Sequence, residues 1–494
     1  MNIVAMISFG SFALAAVAQI AFRAMVKTLL KAVVKKQVKK KRAKKRKKKK
    51  RTECDCDKKK KKTRKGKTGK DECEPELKLV SVEFLDDLDI YKDQIGKAPK
   101  ITWAQWQDTK EPYGEPEIHD RIGYISGDTL QIKAKFAIED KPEDLKTGSI
   151  QGKGTTPEGK TFFFQDKKVK LSGDSVTTEE MSANGPLATK RTQFINPLII
   201  EWSLQYQKEG SPKTKELGTS KHQVYVTLAK PINNIDKFLY LTLLDWATSV
   251  PGANTKPRAV KNTWSHFANP TGVDDLKTWD NRQLLYYGDG MSKCVDYESK
   301  ADFFKVLELP TDRIASCEIF ANLFISSLWV NGLTAECVQV YPSKILGYDD
   351  GEPIREIMLV NNWEETQTSF PERKGHRWAF QLNEETGSMM PPFPDNAPFT
   401  YGDLKSVDGI PGQNVKKPVE KAFTRHFIVK ANGRYYDPSY GVIHESPEDF
   451  EKNVLFGYIM PDPYGVENDF LARKHKHAGE VIFDETNHSI FCGF

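Results

Sequence analysis

Cys317 is the residue of this 494-residue chain with the most favourable setting for covalent chemistry. It lies in SCEIFANLFISSLWVNG, where Ser316 predicts a helix N-cap and Asn331-Gly332 predicts the helix end. Cys317 would then occupy the first helical turn, where unsatisfied N–H groups and the helix dipole favour a thiolate over a thiol. A thiolate is the nucleophilic form of cysteine. The alternative interpretation, a small buried core residue, is the usual role of a lone cysteine.

A second group of chemically useful residues lies in FTRHFIVKANGRYYDPSYG, over residues 423–441. Two β-type runs flank Asn432-Gly433, which predicts a hairpin with a two-residue turn. The resulting register places Asp437 opposite Ile428, and His426 shares a face with Ile428. His426 and Asp437 would be diagonal neighbours, roughly 7–8 Å apart at Cα and within side-chain reach. A carboxylate at this position orients an imidazole toward a nucleophile, so the sequence predicts a His–Asp pair that serves a thiol.

These two motifs resemble the transglutaminase-like branch of the papain-like cysteine enzymes, over residues of about 235–460. That branch carries its Cys at a helix start, its His on one strand and its Asp on the next, with Pro after the Asp. The resemblance implies that Cys317 is the nucleophile and that His426 is the general base and then the general acid. It implies that Asp437 is the carboxylate that orients the imidazole.

Two residues beside the nucleophile depart from the family pattern. Ser316 stands where the family usually has Gly, and Glu318 stands where animal transglutaminases carry an aromatic residue. Both departures favour amide hydrolysis or deamidation over protein crosslinking. The side-chain donor of an oxyanion hole is not assigned, and the backbone N–H of Cys317 is one candidate. No cofactor and no metal are expected, and the expected substrate is a protein or peptide.

Other cysteines and histidines fit a catalytic role less well. Cys294 lies in the loop-like segment GDGMSKCVDYES, and Cys337 is predicted to be a mid-strand core residue. His376 begins a strand-like run, but no Asp-bearing hairpin follows it. His444 is interpreted as local structure before a helix start, and His475 as part of a solvated charge run.

The amino-terminal part has a different composition from the rest of the chain. Residues 1–33 are expected to form an uncleaved hydrophobic helix for membrane association or targeting, because Met1–Phe22 contains no charge. Residues 34–74 are predicted to be a Lys-rich disordered spacer. Its Cys-x-Cys pair, at positions 54 and 56, lacks the spacing of a zinc site.

The charge distribution separates this tail from the body of the protein. Residues 1–70 hold 26 Lys and Arg against three acidic residues, a net charge of +23. Subtraction from the totals of 74 basic and 67 acidic residues leaves 48 and 64 for residues 71–494, a net charge of −16. The acidic body does not favour specific nucleic-acid binding, whereas residues 1–70 suit a membrane or another anionic surface. A solvated spacer is the alternative interpretation of the tail.

The remainder is expected to be multidomain. Residues 75–232 contain apolar–polar alternation separated by turn residues, which predicts an Ig-like β-sandwich. Residues 233–494 are predicted to form an α+β papain-like/transglutaminase-like catalytic domain. Strand-like segments of the sandwich occur at 78–85, 127–136, 160–171, 198–208 and 221–231, and helical segments follow at 238–250 and 257–268.

The expected function is cysteine-dependent cleavage of an amide, as a peptidase, amidase, deamidase or transglutaminase. By resemblance, the architecture is that of a membrane-associated or secreted bacterial effector or toxin, with delivery machinery as a further partner. Two alternatives stay open. One is a non-catalytic structural or binding protein that reuses the fold, and the other is a toxin that disrupts membranes through the amino-terminal helix.

Overall fold

The computed structural model describes residues 74–91, 93, 106–108, 118–119, 121–140, 145–232, 239–268, 276–286, 305–308, 314–349, 352–360, 363–365, 404–406, 422–461, 470–475 and 478–485. Within these ranges no helix is long and apolar enough to cross a membrane. The hydrophobic helix predicted over residues 1–33 lies outside them, as do residues 34–73 of the predicted spacer.

The described residues form twenty-six strands and five helices. The strands are β1 Glu76–Leu85, β2 Trp106–Gln107, β3 Ile118–His119, β4 Ile122–Ile125, β5 Thr129–Asp140, β6 Thr147–Thr155, β7 Thr161–Lys170, β8 Ser175–Thr177, β9 Met181–Pro186, β10 Gln193–Lys208, β11 Ser211–Thr227, β12 Leu285–Tyr286, β13 Ile314–Ala315, β14 Glu336–Pro342, β15 Ile345–Asp349, β16 Glu352–Arg355, β17 Ile357–Val360, β18 Trp363–Glu365, β19 Leu404–Ser406, β20 Ala422–Phe423, β21 His426–Ala431, β22 Arg434–Asp437, β23 Val442–His444, β24 Leu455–Pro461, β25 Phe470–Lys474 and β26 Val481–Asp484. The helices are α1 Leu241–Thr248, α2 Lys256–Phe267, α3 Lys305–Glu308, α4 Cys317–Val330 and α5 Pro447–Val454.

The predicted fold class, an Ig-like β-sandwich followed by an α+β papain-like domain with an amino-terminal hydrophobic helix, is wrong. The described residues are mostly β, with 52% in strands against 17% in helices, and they contain a large curled sheet. The strands predicted between residues 78 and 231 are present, but they join into one sheet of 11 strands. The physical reason is that alternation identifies a strand and its buried face, whereas it does not identify which strands pair.

The large sheet has two parts, which are joined by the pairing of β7 with β9. One part contains β1, β2, β3, β5, β8 and β9, and the other contains β4, β6, β7, β10 and β11. The order of the whole sheet is β3-β2-β1-β5-β9-β7-β6-β10-β11-β4, with β8 paired to β5. Strands β10 and β11 form a long antiparallel hairpin in the second part. Trp202 of β10 is buried, with 2% of its surface exposed. A pairing of Phe164 with Ala183, between β7 and β9, connects the two parts.

Contacts divide the described residues into two units, one with residues 74–77, 138–140 and 145–146, and the other with the remaining described residues. The second unit contains all the described helices and strands except the ends of β1 and β5. The division predicted between residues 232 and 233 stays a prediction.

Two sheets of five and four strands and three two-stranded sheets follow the large one along the chain. The five-stranded sheet has the order β23-β22-β21-β14-β26 and the four-stranded sheet has the order β20-β17-β24-β25. Helix α4 packs against β21 with buried apolar side chains such as Phe320 and Phe324, while Phe427 and Val429 belong to the same core. The alternate residues of β21 face a second core that contains Ile428. Strand β21 is therefore covered on both faces, which fixes its register firmly.

The carboxyl end of α4 is held by polar contacts to two other elements. Asn331 is fully buried, and its Nδ2 donates to the Ala247 carbonyl at 2.7 Å. Its Oδ1 accepts from the Leu228 backbone N–H at 2.9 Å. Gly332 follows with a φ of +69°, the left-handed conformation that favours glycine after a helix. A Cβ atom at Gly332 would lie 2.9 Å from the Lys230 carbonyl oxygen.

Gly332→Ala is expected to lower the free energy of unfolding by about 1–3 kcal/mol, because the new Cβ meets backbone atoms in a disfavoured φ region. Gly210→Ala is the matched control, since Gly210 has a φ of +76° and a Cβ added there would have no atom within 4 Å. Urea midpoints of the two variants separate the conformational cost from the steric cost. Equal midpoints would show that the close approach at Gly332 contributes nothing.

Candidate active site

Cys317 is the first residue of α4 and lies at the start of a buried helix. The Ser316 side chain caps this helix by accepting a hydrogen bond from the Ile319 backbone N–H at 3.4 Å. Cys317 is 6% exposed and carries a free thiol. Cys337, in the strand beside β21, is buried and disulfide-bonded, and Cys294 lies outside the described residues. Of the two cysteines that the structure describes, Cys317 alone is available as a nucleophile.

The hairpin of β21 and β22 has the register that the Asn432-Gly433 turn predicts. Val429 pairs with Tyr436, and Ala431 pairs with Arg434. His426 opens β21 and Asp437 ends β22. The two side chains meet, with 2.7 Å between His426 Nε2 and Asp437 Oδ2.

Asp437 is held on both of its carboxylate oxygens. Oδ2 contacts His426, and Oδ1 accepts hydrogen bonds from the backbone N–H groups of Ser439 at 3.0 Å and Tyr440 at 3.3 Å. Asp437 is 1% exposed and His426 is 2% exposed. The carboxylate therefore has a fixed orientation, and it directs the Nε2–H of His426 toward itself.

The electrostatics of the site favour a charged imidazole. Burial opposes the charge on His426, but Asp437 and then Cys317 outweigh this effect and raise its pKa from 6.5 to about 10. Both the charge and the hydrogen-bonding capacity of Cys317 contribute. Since the pKa is raised in the folded state, the stabilisation is complete below pH 6.5 and is lost as the pH rises through about 10.

His426 Nδ1 is the ring nitrogen that remains for the thiol. It is buried and makes no hydrogen bond of normal geometry to the described part of the chain. Cys317 is among the groups that raise the pKa of His426, which places the thiol near the ring. Catalytic hydrogen bonds are often long or poorly aligned in the absence of substrate.

Aromatic side chains surround the imidazole and exclude water. Phe423 lies 4.9 Å from the His426 ring, Tyr440 lies 6.0 Å away and Phe450 lies 6.5 Å away, measured between ring centroids. This apolar wall strengthens the interaction of His426 with Asp437, because charges are poorly screened in a low-dielectric setting.

Two charged residues directly adjoin the site residues in the sequence. Glu318 follows the thiol in α4, and burial raises its pKa while Arg425 opposes the shift. Arg425 directly precedes His426 and is exposed. Glu318 entered the sequence interpretation only as a departure from the family pattern, and the pairing of its charge with Arg425 was not predicted.

Two histidines are more buried than the sequence indicates. His444 precedes the helix start at Ser446-Pro447, as predicted, but it also ends strand β23 and is 4% exposed. His475 is not solvated, because its Nδ1 lies 2.9 Å from Glu480 Oε2 and 3.2 Å from the Tyr458 hydroxyl. Strand β23, which carries His444, was not predicted, because its three residues, Val442–His444, are too few to show alternation. His376 lies outside the described residues.

The described part of the chain contains no group of three His, Cys, Asp or Glu placed to hold a metal ion. Comparison with protein-family models and with curated proteins found no match to this chain.

Proposed function

We propose that this protein is a cysteine-dependent amide-cleaving enzyme that acts through an acyl-thioester at Cys317. The observation that carries the proposal is the buried His426–Asp437 pair, 2.7 Å apart, next to a free thiol at a helix start. The order of the three residues and the motifs around them resemble the transglutaminase-like enzymes, which supports the same activity.

Before substrate reacts, the Nδ1 atom of His426 accepts the proton of the Cys317 thiol. The Nε2–H group of His426 keeps its proton and donates a hydrogen bond to Asp437. The sulfur then attacks the carbonyl carbon of an amide and forms a C–S bond. The imidazolium gives its Nδ1 proton to the departing nitrogen as the C–N bond breaks, which leaves a thioester and a free amine or ammonia. Asp437 holds the imidazole in the required tautomer throughout.

The helix start also suits the negative charge that develops on the carbonyl oxygen. Backbone N–H groups of a first helical turn have no intrahelical acceptor, and the helix dipole adds partial positive charge. The Cys317 N–H is therefore the proposed backbone donor to this oxygen. This backbone donor belongs to α4 itself.

The thioester can be resolved by water or by an amine. Attack by water gives peptide cleavage or deamidation, and attack by a primary amine gives a new amide bond. Glu318 and Arg425 make the rim beside the thiol polar, which favours water as the acceptor. We therefore propose hydrolysis or deamidation of a protein or peptide as the main reaction.

A product analysis tests this proposal. The full chain is incubated with glutamine-containing peptides and a labelled primary amine, and cleavage, ammonia release and amine incorporation are measured together. We expect cleavage or ammonia to exceed amine incorporation, and intact-protein mass spectrometry should find the acyl group on Cys317. Turnover without acylation of Cys317, or no turnover of any amide while the thiol stays reactive, would contradict the proposal.

A further inference from the structure

A cleft of about 330 Å³ is formed by the helices α1 and α2 and the turn that follows Leu276. Its volume is at the lower end of the range for ligand pockets, which is about 300–1,000 Å³. The cleft shares no residue with the candidate active site. Its lining includes Asp245 of α1, His266 of α2, and Lys277, Thr278, Trp279 and Asn281 of the turn.

The lining of this cleft is mostly polar, whereas most ligand pockets are lined mainly by apolar side chains. A carboxylate, an imidazole, an ammonium group, a hydroxyl and an amide line the same small space. An apolar ligand would remove water from these groups without replacing its hydrogen bonds, which is costly. The cleft therefore favours a ligand that itself carries many hydrogen-bonding groups.

The turn on one side of the cleft is held in place by hydrogen bonds. The Thr278 backbone N–H donates to the Arg282 carbonyl at 2.9 Å, and the Arg282 backbone N–H donates to Thr278 Oγ1 at 3.1 Å. Helix α1 anchors the turn, because Trp246 Nε1 donates to the Lys277 carbonyl at 2.8 Å. A wall that is fixed before binding loses little entropy when a ligand binds.

Asp245 and His266 have a fixed orientation and retain hydrogen-bonding capacity. Asp245 Oδ1 accepts from the Tyr225 hydroxyl at 2.7 Å, whereas Oδ2 makes no hydrogen bond within the described part of the chain. His266 Nε2 lies 3.0 Å from Ser249 Oγ, and Nδ1 makes no hydrogen bond to a described residue. Each side chain is thus oriented through one polar atom and keeps the other for a ligand.

The charges that line the cleft balance at neutral pH. Asp245 and Lys277 contribute one negative and one positive charge. Burial lowers the pKa of His266, although Asp245 opposes this effect, so the imidazole is neutral at pH 7. A neutral imidazole offers one N–H donor and one acceptor nitrogen. This balance favours an uncharged ligand over an anion or a cation.

Trp279 adds an apolar surface beside the polar groups. It is half-buried, and the Arg121 guanidinium carbon lies 4.7 Å from the centroid of its ring. A sugar ring has the complementary chemistry, with hydroxyls around its edge and C–H groups on its faces that pack against an aromatic side chain. Each hydroxyl both donates and accepts, so neighbouring hydroxyls suit a carboxylate and a neutral imidazole together.

We propose that the cleft binds one neutral sugar unit, whose hydroxyls bond to Asp245 and His266 and whose ring packs beside Trp279. The small volume suits a single sugar ring and not an extended chain of them. This binding site is independent of the activity proposed for Cys317, and its test requires no turnover.

The test is saturation-transfer NMR on the full chain with glucose, galactose, mannose and N-acetylglucosamine as the probes. We expect at least one of them to bind with a Kd of about 1–10 mM, the range for a ligand of about a dozen heavy atoms. Asp245→Asn replaces the accepting Oδ2 by a donor and should weaken this binding about tenfold or more. His266→Gln removes the second ring nitrogen and should weaken it about threefold or more.

Lys261→Ala is the matched control, because Lys261 is exposed on α2 and does not line the cleft. It should leave the Kd unchanged. If Asp245→Asn does not fold, His266→Gln carries the test. The proposal is overturned if none of the four sugars binds, if both variants bind as the wild type does, or if glucuronate or glucosamine binds more tightly than every neutral sugar.

Methyl glycosides of the bound sugar identify the source of the ligand. A methyl glycoside that binds as tightly as the free sugar supports a sugar unit joined to a larger glycan, because the group at C1 then lies outside the cleft. Binding of the free sugar alone supports a soluble monosaccharide. Both results support a site for one neutral sugar unit.

Discussion

Cys317→Ala is expected to reduce amide turnover by at least about 10⁴-fold. The variant removes the atom that forms the thioester, and neither His426 nor Asp437 can replace it. Labelling with iodoacetamide should disappear from α4 at the same time. Because the side chain is small and 6% exposed, the alanine variant should fold normally.

Ser265→Ala is the matched control for this experiment. It makes a similarly small change at an exposed position of α2, where the hydroxyl donates to the Asn262 carbonyl at 2.6 Å, and it should leave turnover unchanged within about twofold. Labelling at pH 7 should be faster at Cys317 than at Cys294. Faster labelling of Cys294, or turnover that survives in Cys317→Ala, would contradict the assignment of Cys317 as the nucleophile.

Asp437→Asn is expected to lower kcat by about 10²–10⁴-fold with little change in the fold. The asparagine oxygen can still accept from the Ser439 and Tyr440 backbone N–H groups, as Asp437 Oδ1 does. Its amide NH₂ would then face His426 Nε2, which must become an acceptor. The imidazole proton moves to Nδ1, and that nitrogen can no longer take the proton of Cys317.

The tautomer change gives this variant a signature beyond lost activity. Labelling of Cys317 should slow at neutral pH and recover in alkaline solution, where hydroxide removes the thiol proton. Asp128→Asn is the control, because Asp128 also accepts a backbone N–H, that of Ile125 at 3.1 Å, within the large sheet. A labelling profile for Asp437→Asn that overlays the wild-type profile would show that Asp437 does not set the state of His426.

The parts of the site that could be predicted are those set by short-range signals. A capping Ser, a Gly after the last helical residue and an Asn-Gly turn each act within a few residues, and they correctly placed α4 and the β21–β22 hairpin. A hairpin turn also determines which side chains face each other. The contact of His426 with Asp437 followed from that register alone.

The fold class failed because it depends on pairings between distant strands. The segment of β9 pairs with both β5 and β7, and nothing in its six residues indicates this. The same limit applies to His444, whose neighbours are set by a third strand after an irregular turn. Sequence patterns located several of the elements, and tertiary pairing decided the sheet.

Under the proposed function, the disulfide at Cys337 and the nucleophile Cys317 give this protein two opposed redox requirements in neighbouring elements. Strand β14 carries the oxidised Cys337 and pairs with β21, which carries His426, while Cys317 of α4 must stay reduced to act. A strong reductant would keep Cys317 reduced, but it would also reduce the disulfide of Cys337, in the strand next to His426. An oxidant would preserve the cross-link and convert the thiolate to a sulfenic acid. A protein that acts by the proposed mechanism therefore requires an intermediate redox potential, at which Cys317 is reduced while Cys337 stays bonded.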